Sequence, residues 1–255
     1  MTQVMTIARG TVVELIRGRV AWVAASLVVA ALVLGAFLQQ VALTERSAVQ
    51  AVLLASVLRL GAAFVVAAFV VTSMSREASD KVTELLLAQP MPRSSYLLGK
   101  MAGYAAATVA IAFVFALPLW LFVPAPRAFL WGGSLACELL MVAAVSTFCV
   151  LTLTQFLPAF AATAGFYALA RSVEAIRALA ASPVGGQGGW TDAVVRSSVD
   201  GIAILLPSLD RMTLTRWLVE SPPPAGEVAA IAVQTLIYVL LIGTAAMFDL
   251  YRKNL

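Results

Sequence analysis

Six long apolar runs constrain this chain more than any other feature. They cover about 20–43, 51–73, 101–123, 131–153, 157–178 and 228–250. Each reaches the roughly 20 residues that a helix needs to cross a bilayer. Apolar residues make up 62% of the sequence and charged residues 12%, with a mean hydropathy of +0.95, whereas soluble domains carry about a quarter charged residues. The expected fold is an all-α integral membrane protein, a single transmembrane domain over residues 1–255. The first run has about twice the apolar length of a signal peptide and no small-x-small cleavage site, so it reads as a retained span.

Lysine and arginine set the expected orientation. With the amino terminus in the cytoplasm, the inner side holds Arg9, Arg17, Arg19, Arg76, Lys81, Arg93, Lys100, Arg252 and Lys253. The short outer loops then hold only Arg46 and Arg127 as cations, and the outer segment 179–227 is net acidic. Trp120 and Trp131 bracket one outer loop, while Trp22, Tyr104 and Tyr251 mark the inner interface, as an aromatic belt predicts. Both termini are expected inside.

The sequence has no histidine, which removes histidine-ligated metals and histidine acid–base catalysis. Cys137 and Cys149 share one apolar run; in a helix they lie about 18 Å apart, too far to bridge. No nucleophile–base pair or metal-ligand cluster is visible, so no catalytic residue and no metal ligand is assigned. A Gly-x-x-x-x-Gly-Lys-Ser/Thr phosphate loop is also missing, so the chain has no such site for ATP.

The longest well-charged stretch, SREASDKVTELLLAQPMPRSSYLLGK, occupies 75–100 between the second and third spans. Val82, Leu85 and Leu86 share a helical face, and Glu77, Asp80, Lys81 and Glu84 cover the rest. Ser75 or Ser79 can cap the start. Pro90 ends the helix and Pro92 blocks its return, and Ser94 caps a fresh start into the third span. An interfacial helix on lipid headgroups and a plain solvated connection explain the same residues.

This stretch resembles the one that follows the second span in ABC-2 type permeases, the membrane subunits of type-2 ABC exporters. Glu84, Leu86, Leu87, Pro90, Arg93, Leu98, Gly99 and Lys100 match the pattern as they stand, although Lys81 and Val82 replace its common Gly-Thr. The resemblance implies that 74–100 is a cytoplasmic coupling element docking in a groove of a separate ATPase. Glu77, Glu84 and Arg93 would supply polar anchoring and Leu85, Leu86 and Leu87 the apolar contact, with Pro90 as the stop. It further implies two ATPase copies carrying ATP and Mg, no cofactor on this chain, and a second permease chain, a homodimer in preference to a heterodimer. A bacterial inner membrane is the expected location, and nucleic acid is not an expected partner.

The amino-terminal helix, about 1–19, carries Val4, Met5, Ala8, Val12, Leu15 and Ile16 as one stripe, with Glu14 and Arg17 opposite. It is similar to the connecting helix of that family, and a basic interfacial anchor explains it equally well. The outer segment 179–227 is rich in glycine and proline around an apolar run too short to span. It reads as a re-entrant hairpin or a flexible outer loop, and offers a surface for an extracytoplasmic partner.

Away from the span ends, Arg59, Glu138, Arg171 and Glu174 are the ionisable residues singled out inside the spans. Such a group costs about 2.5–3.5 kcal/mol at a helix centre on insertion scales, so the four should face the bundle. Arg59 and Glu138 lie at matching depths of about 10–12 Å and form the expected pair. A lining for a translocation path and a static ion pair are both open readings. The leading function is the permease subunit of an ATP-driven exporter or mechanical transmitter. The alternative is an ATP-independent, ion-coupled carrier or assembly scaffold working through Arg59, Glu138 and Glu174.

Overall fold

A computed structural model describes residues 2–41, 46–80, 92–181, 190–220 and 223–252. The described chain runs α1 (Thr2–Arg17), α2 (Arg19–Val41), α3 (Arg46–Ser79), α4 (Arg93–Ala116), α5 (Ala125–Leu153), α6 (Phe156–Ala181), α7 (Trp190–Leu205) and α8 (Ala225–Arg252). Short 3-10 turns occupy Leu117–Leu121 and Leu209–Arg211, and a single helical turn occupies Arg216–Val219. No strand occurs among the described residues. Six of these helices, α2 to α6 and α8, are long and apolar enough to cross a membrane. They are the six that the apolar runs predict, and they make this a multi-pass membrane protein.

The spans divide into a centre and a rim. α3, α4 and α5 are the most buried, while α2, α6 and α8 leave most of their apolar surface uncovered. Leu54, Leu58, Val66, Phe115, Leu135 and Leu139 form the central core. A second cluster of Met141, Ala170, Leu209, Met212, Trp217 and Ile231 lies where the 206–219 segment packs against α5, α6 and α8.

Several local expectations change. The 75–79 part of the charged stretch does not start a new helix, because α3 runs unbroken from Arg46 to Ser79. Ser79 Oγ donates back to the Ser75 carbonyl at 2.9 Å. α4 begins at Arg93 with Pro92 in the cap position, ahead of the predicted Ser94 cap; proline's fixed φ suits that place. The helix expected between these points, with Glu84, Leu85, Leu86, Leu87 and Pro90, lies outside the described residues.

The predicted stripe of α1 is split rather than united. Val4, Ile7, Ala8, Thr11 and Leu15 turn toward the protein, whereas Met5 and Ile16 are exposed at 74% and 68%. Glu14 stands with the first group, bonded to α3, not opposite it. Of the aromatics assigned to the interfaces, Trp131 and Tyr104 are fully buried within the protein, while Trp22 and Tyr251 stand exposed. Their polar atoms explain the difference, since each finds a partner inside the bundle.

Candidate functional site

Two polar nodes interrupt the apolar packing, one near an end of the bundle and one around the middle of α5. The first lies beneath the connection between α3 and α4. Lys100, 4% exposed, donates its ammonium to Glu77 Oε1, and the Tyr96 hydroxyl donates to Glu77 Oε2 at 3.0 Å. One turn further in, the Tyr104 hydroxyl donates to Ser73 Oγ at 3.1 Å. Ser73 in turn donates to Glu14 Oε2 of α1 at 2.8 Å. The Lys100 ammonium also sits 5.6 Å from the Tyr104 ring centre, within cation–π range. A buried ammonium is tolerated only when paired and hydrogen-bonded, and these contacts meet that condition.

The same region of α4 seats α1. A Cβ on Gly99 would lie 2.9 Å from Ile7 Cβ, and one on Gly103 would lie 2.7 Å from Thr11 Cβ. Real Cβ atoms do not approach so closely, so the small-xxx-small pair lets the two backbones meet. α1 is thereby packed on α4 and tied to α3 through Glu14. Glu77, expected as an open anchor for a partner, has both carboxylate oxygens taken up within the chain. Arg93 opens α4 half-buried beside this node.

The second node centres on Glu138, wholly buried on α5. Its expected partner Arg59 makes no salt bridge with it; the guanidinium 3.5 Å from Glu138 Oε2 belongs to Arg171. The Tyr167 hydroxyl donates to Glu138 Oε1 at 2.8 Å, and Thr213 Oγ1 donates to Oε2 at 2.6 Å. Matching depth placed Arg59 and Glu138 together, but the α3 and α5 faces carrying them do not bring the charges into contact. Arg59 is half-buried, and its Nε is buried without a hydrogen-bond partner.

Thr213 is clamped from several directions. Its N–H donates to Ser134 Oγ at 3.0 Å, and its carbonyl accepts from Trp131 Nε1 at 3.3 Å. Arg171 adds donations to the Leu209 carbonyl and, at 3.0 Å, to the Met212 carbonyl. Thr213 has φ +50°, a left-handed conformation that a β-branched residue adopts only when its surroundings hold it. Glu174 is absent from this node: it pairs at 3.1 Å with Arg177, which also reaches Asp200 of α7 at 3.1 Å. Arg171 and Glu174 therefore belong to separate contacts. The arrangement can lock the 206–219 segment against α5 and α6; no group of three or more metal-ligating side chains occurs among the described residues.

Sequence reasoning passed over Tyr167, Thr213 and Ser134 in this node, and Glu14, Ser73 and Tyr96 in the other. Part of the signal was present. Trp131, Ser134 and Glu138 recur at i, i+3 and i+7 on one face of α5, and Tyr167 and Arg171 at i and i+4 on α6. In comparison with known proteins, no family profile and no curated protein matches this chain.

Proposed function

We propose that this chain is the membrane subunit of an ATP-driven exporter, moved by a separate ATPase that docks on the connection between α3 and α4. The observation that carries the reading is the polar staple at the foot of that connection. Glu77 of α3 is fixed to Tyr96 and Lys100 of α4, and α1 is seated on the same part of α4. A push on the connection is then transmitted to three helices as one body rather than lost in bending. The motif resemblance of 77–100 supports the same assignment.

On this reading two ATPase copies supply ATP and Mg, and this chain binds neither. A second copy of the chain meets the outward apolar faces of α3 and α6, where Leu53, Leu60, Phe64 and Leu157 are exposed. The protein belongs in a bacterial inner membrane with both termini cytoplasmic. Segment 206–219 is the re-entrant outer element, open to an extracytoplasmic partner when the work is mechanical transmission. The ion-coupled carrier or scaffold comes second. Both Glu138 oxygens are engaged by Tyr167, Thr213 and Arg171, which suits a lock better than a working proton site.

A gentle detergent extraction from the native membrane tests the assignment, with Glu84→Ala/Leu86→Asp run beside the wild type. A phosphate-loop ATPase should accompany the wild type and be lost from the variant. Flux that follows a proton gradient, with no ATPase recovered in either sample, would move the carrier to first place.

A further inference from the structure

A cavity of about 530 Å³ with charged side chains in its wall opens at the end of the bundle away from the α3–α4 connection, between the 210–216 segment and the first turns of α8. Its volume falls in the range of sites for small organic ligands. Asp210, Arg211, Leu214 and Arg216 line one side, and Glu227 and Gln234 of α8 the other. Glu227, Ala230, Ile231 and Gln234 recur at i, i+3, i+4 and i+7, so one stripe of α8 faces the space. From Glu227 to Gln234 the cavity follows α8 for about 10 Å.

The charges in this cavity are unequally satisfied. Arg216 and Glu227 answer each other at 3.4 Å, and Gln234 exchanges hydrogen bonds with Ser208 at 3.0 and 3.2 Å. Asp210 differs: its Oδ1 is buried without a hydrogen-bond partner. Burial pushes its carboxyl above the usual range, and Glu174 adds to this, against the opposing pull of its own backbone N–H, Arg211 and Arg171. Arg211 stands exposed at the rim. A carboxylate wanting a donor and a guanidinium open to an anion therefore line one space.

We infer that this cavity is a binding site for a zwitterionic head group, an ammonium joined to a phosphodiester. The ammonium donates to Asp210, and the phosphodiester lies against Arg211, where an arginine can grip two oxygens at once. Such a group can belong to a membrane lipid or to a free water-soluble zwitterion. The inference stands apart from the question of what drives the chain, since no ATPase contact enters it.

The test uses the full chain in detergent, with ligand retention read by native mass spectrometry. The probes are phosphatidylethanolamine, phosphatidylglycerol and free glycerophosphoethanolamine, offered to wild type, Asp210→Asn and Arg211→Gln. Wild type should retain one phosphatidylethanolamine in at least about tenfold preference to phosphatidylglycerol, Asp210→Asn should lose that preference, and Arg211→Gln should hold both lipids more weakly. Asp210→Asn keeps side-chain size and Arg211→Gln shortens an exposed side chain, and an unchanged melting temperature checks that each variant is folded. Competition by glycerophosphoethanolamine at comparable concentration assigns the site to a free zwitterion, and retention of the lipid alone assigns it to the membrane. Equal retention of the two lipids by wild type, undiminished preference in folded Asp210→Asn, or undiminished retention of both lipids by folded Arg211→Gln overturns the inference.

Discussion

Glu138 shows how much one buried carboxylate can organise. It lies in the middle of α5 with no exposed surface, and three side chains from α6 and the 206–219 segment converge on it. Its truncation leaves the Arg171 guanidinium buried with less compensation, which typically costs about 3–5 kcal/mol. Glu138→Ala should therefore lower the melting temperature sharply and open 206–219 to protease, while Tyr167→Phe, which removes one donor, should cost only about 1 kcal/mol. Thermal unfolding in detergent, followed by limited proteolysis, reads both. That Glu138 would turn inward was legible from its cost in lipid. Its partner was not, because depth along a helix says nothing about the rotation that decides which of two arginines meets it. Thr213 was beyond reach for another reason: nothing in the local sequence indicates that a loop threonine is held at φ +50° by four groups distant in the chain.

At the scale of elements, hydropathy found the spans and missed their ends. α3 continues to Ser79 because a helix needs no apolar residue to keep its hydrogen bonds once it leaves lipid; charge marks the water, not the end of the helix. The α1 stripe was misassigned because periodicity gives an apolar face without saying whether lipid or protein meets it. Here the two glycines of α4 decide. Gly103→Leu would drive a side chain into Thr11, whose Cβ is already 2.7 Å from an added Cβ, and should unseat α1. The expected result is faster tryptic cleavage at Arg9 and Arg17 with the bundle otherwise resistant, and Gly133→Leu, whose Cβ would meet nothing within 4 Å, serves as the control. Equal cleavage of both variants would mean that α1 is held by something other than this seat.

For the whole molecule, the two nodes divide the work. One fastens the 206–219 segment to α5 and α6, and the other joins α1, α3 and α4 beneath the α3–α4 connection. Between them the described helices meet mainly through apolar side chains, which suits helices that tilt against one another as bodies. On the proposed reading an ATPase acts on that connection. Site-specific photo-crosslinking from position 86 in native membranes tests it directly. The account predicts a major adduct with a phosphate-loop ATPase, whose yield changes between ATP-bound and ADP-bound states. Adducts confined to lipid, unchanged by nucleotide, would contradict it.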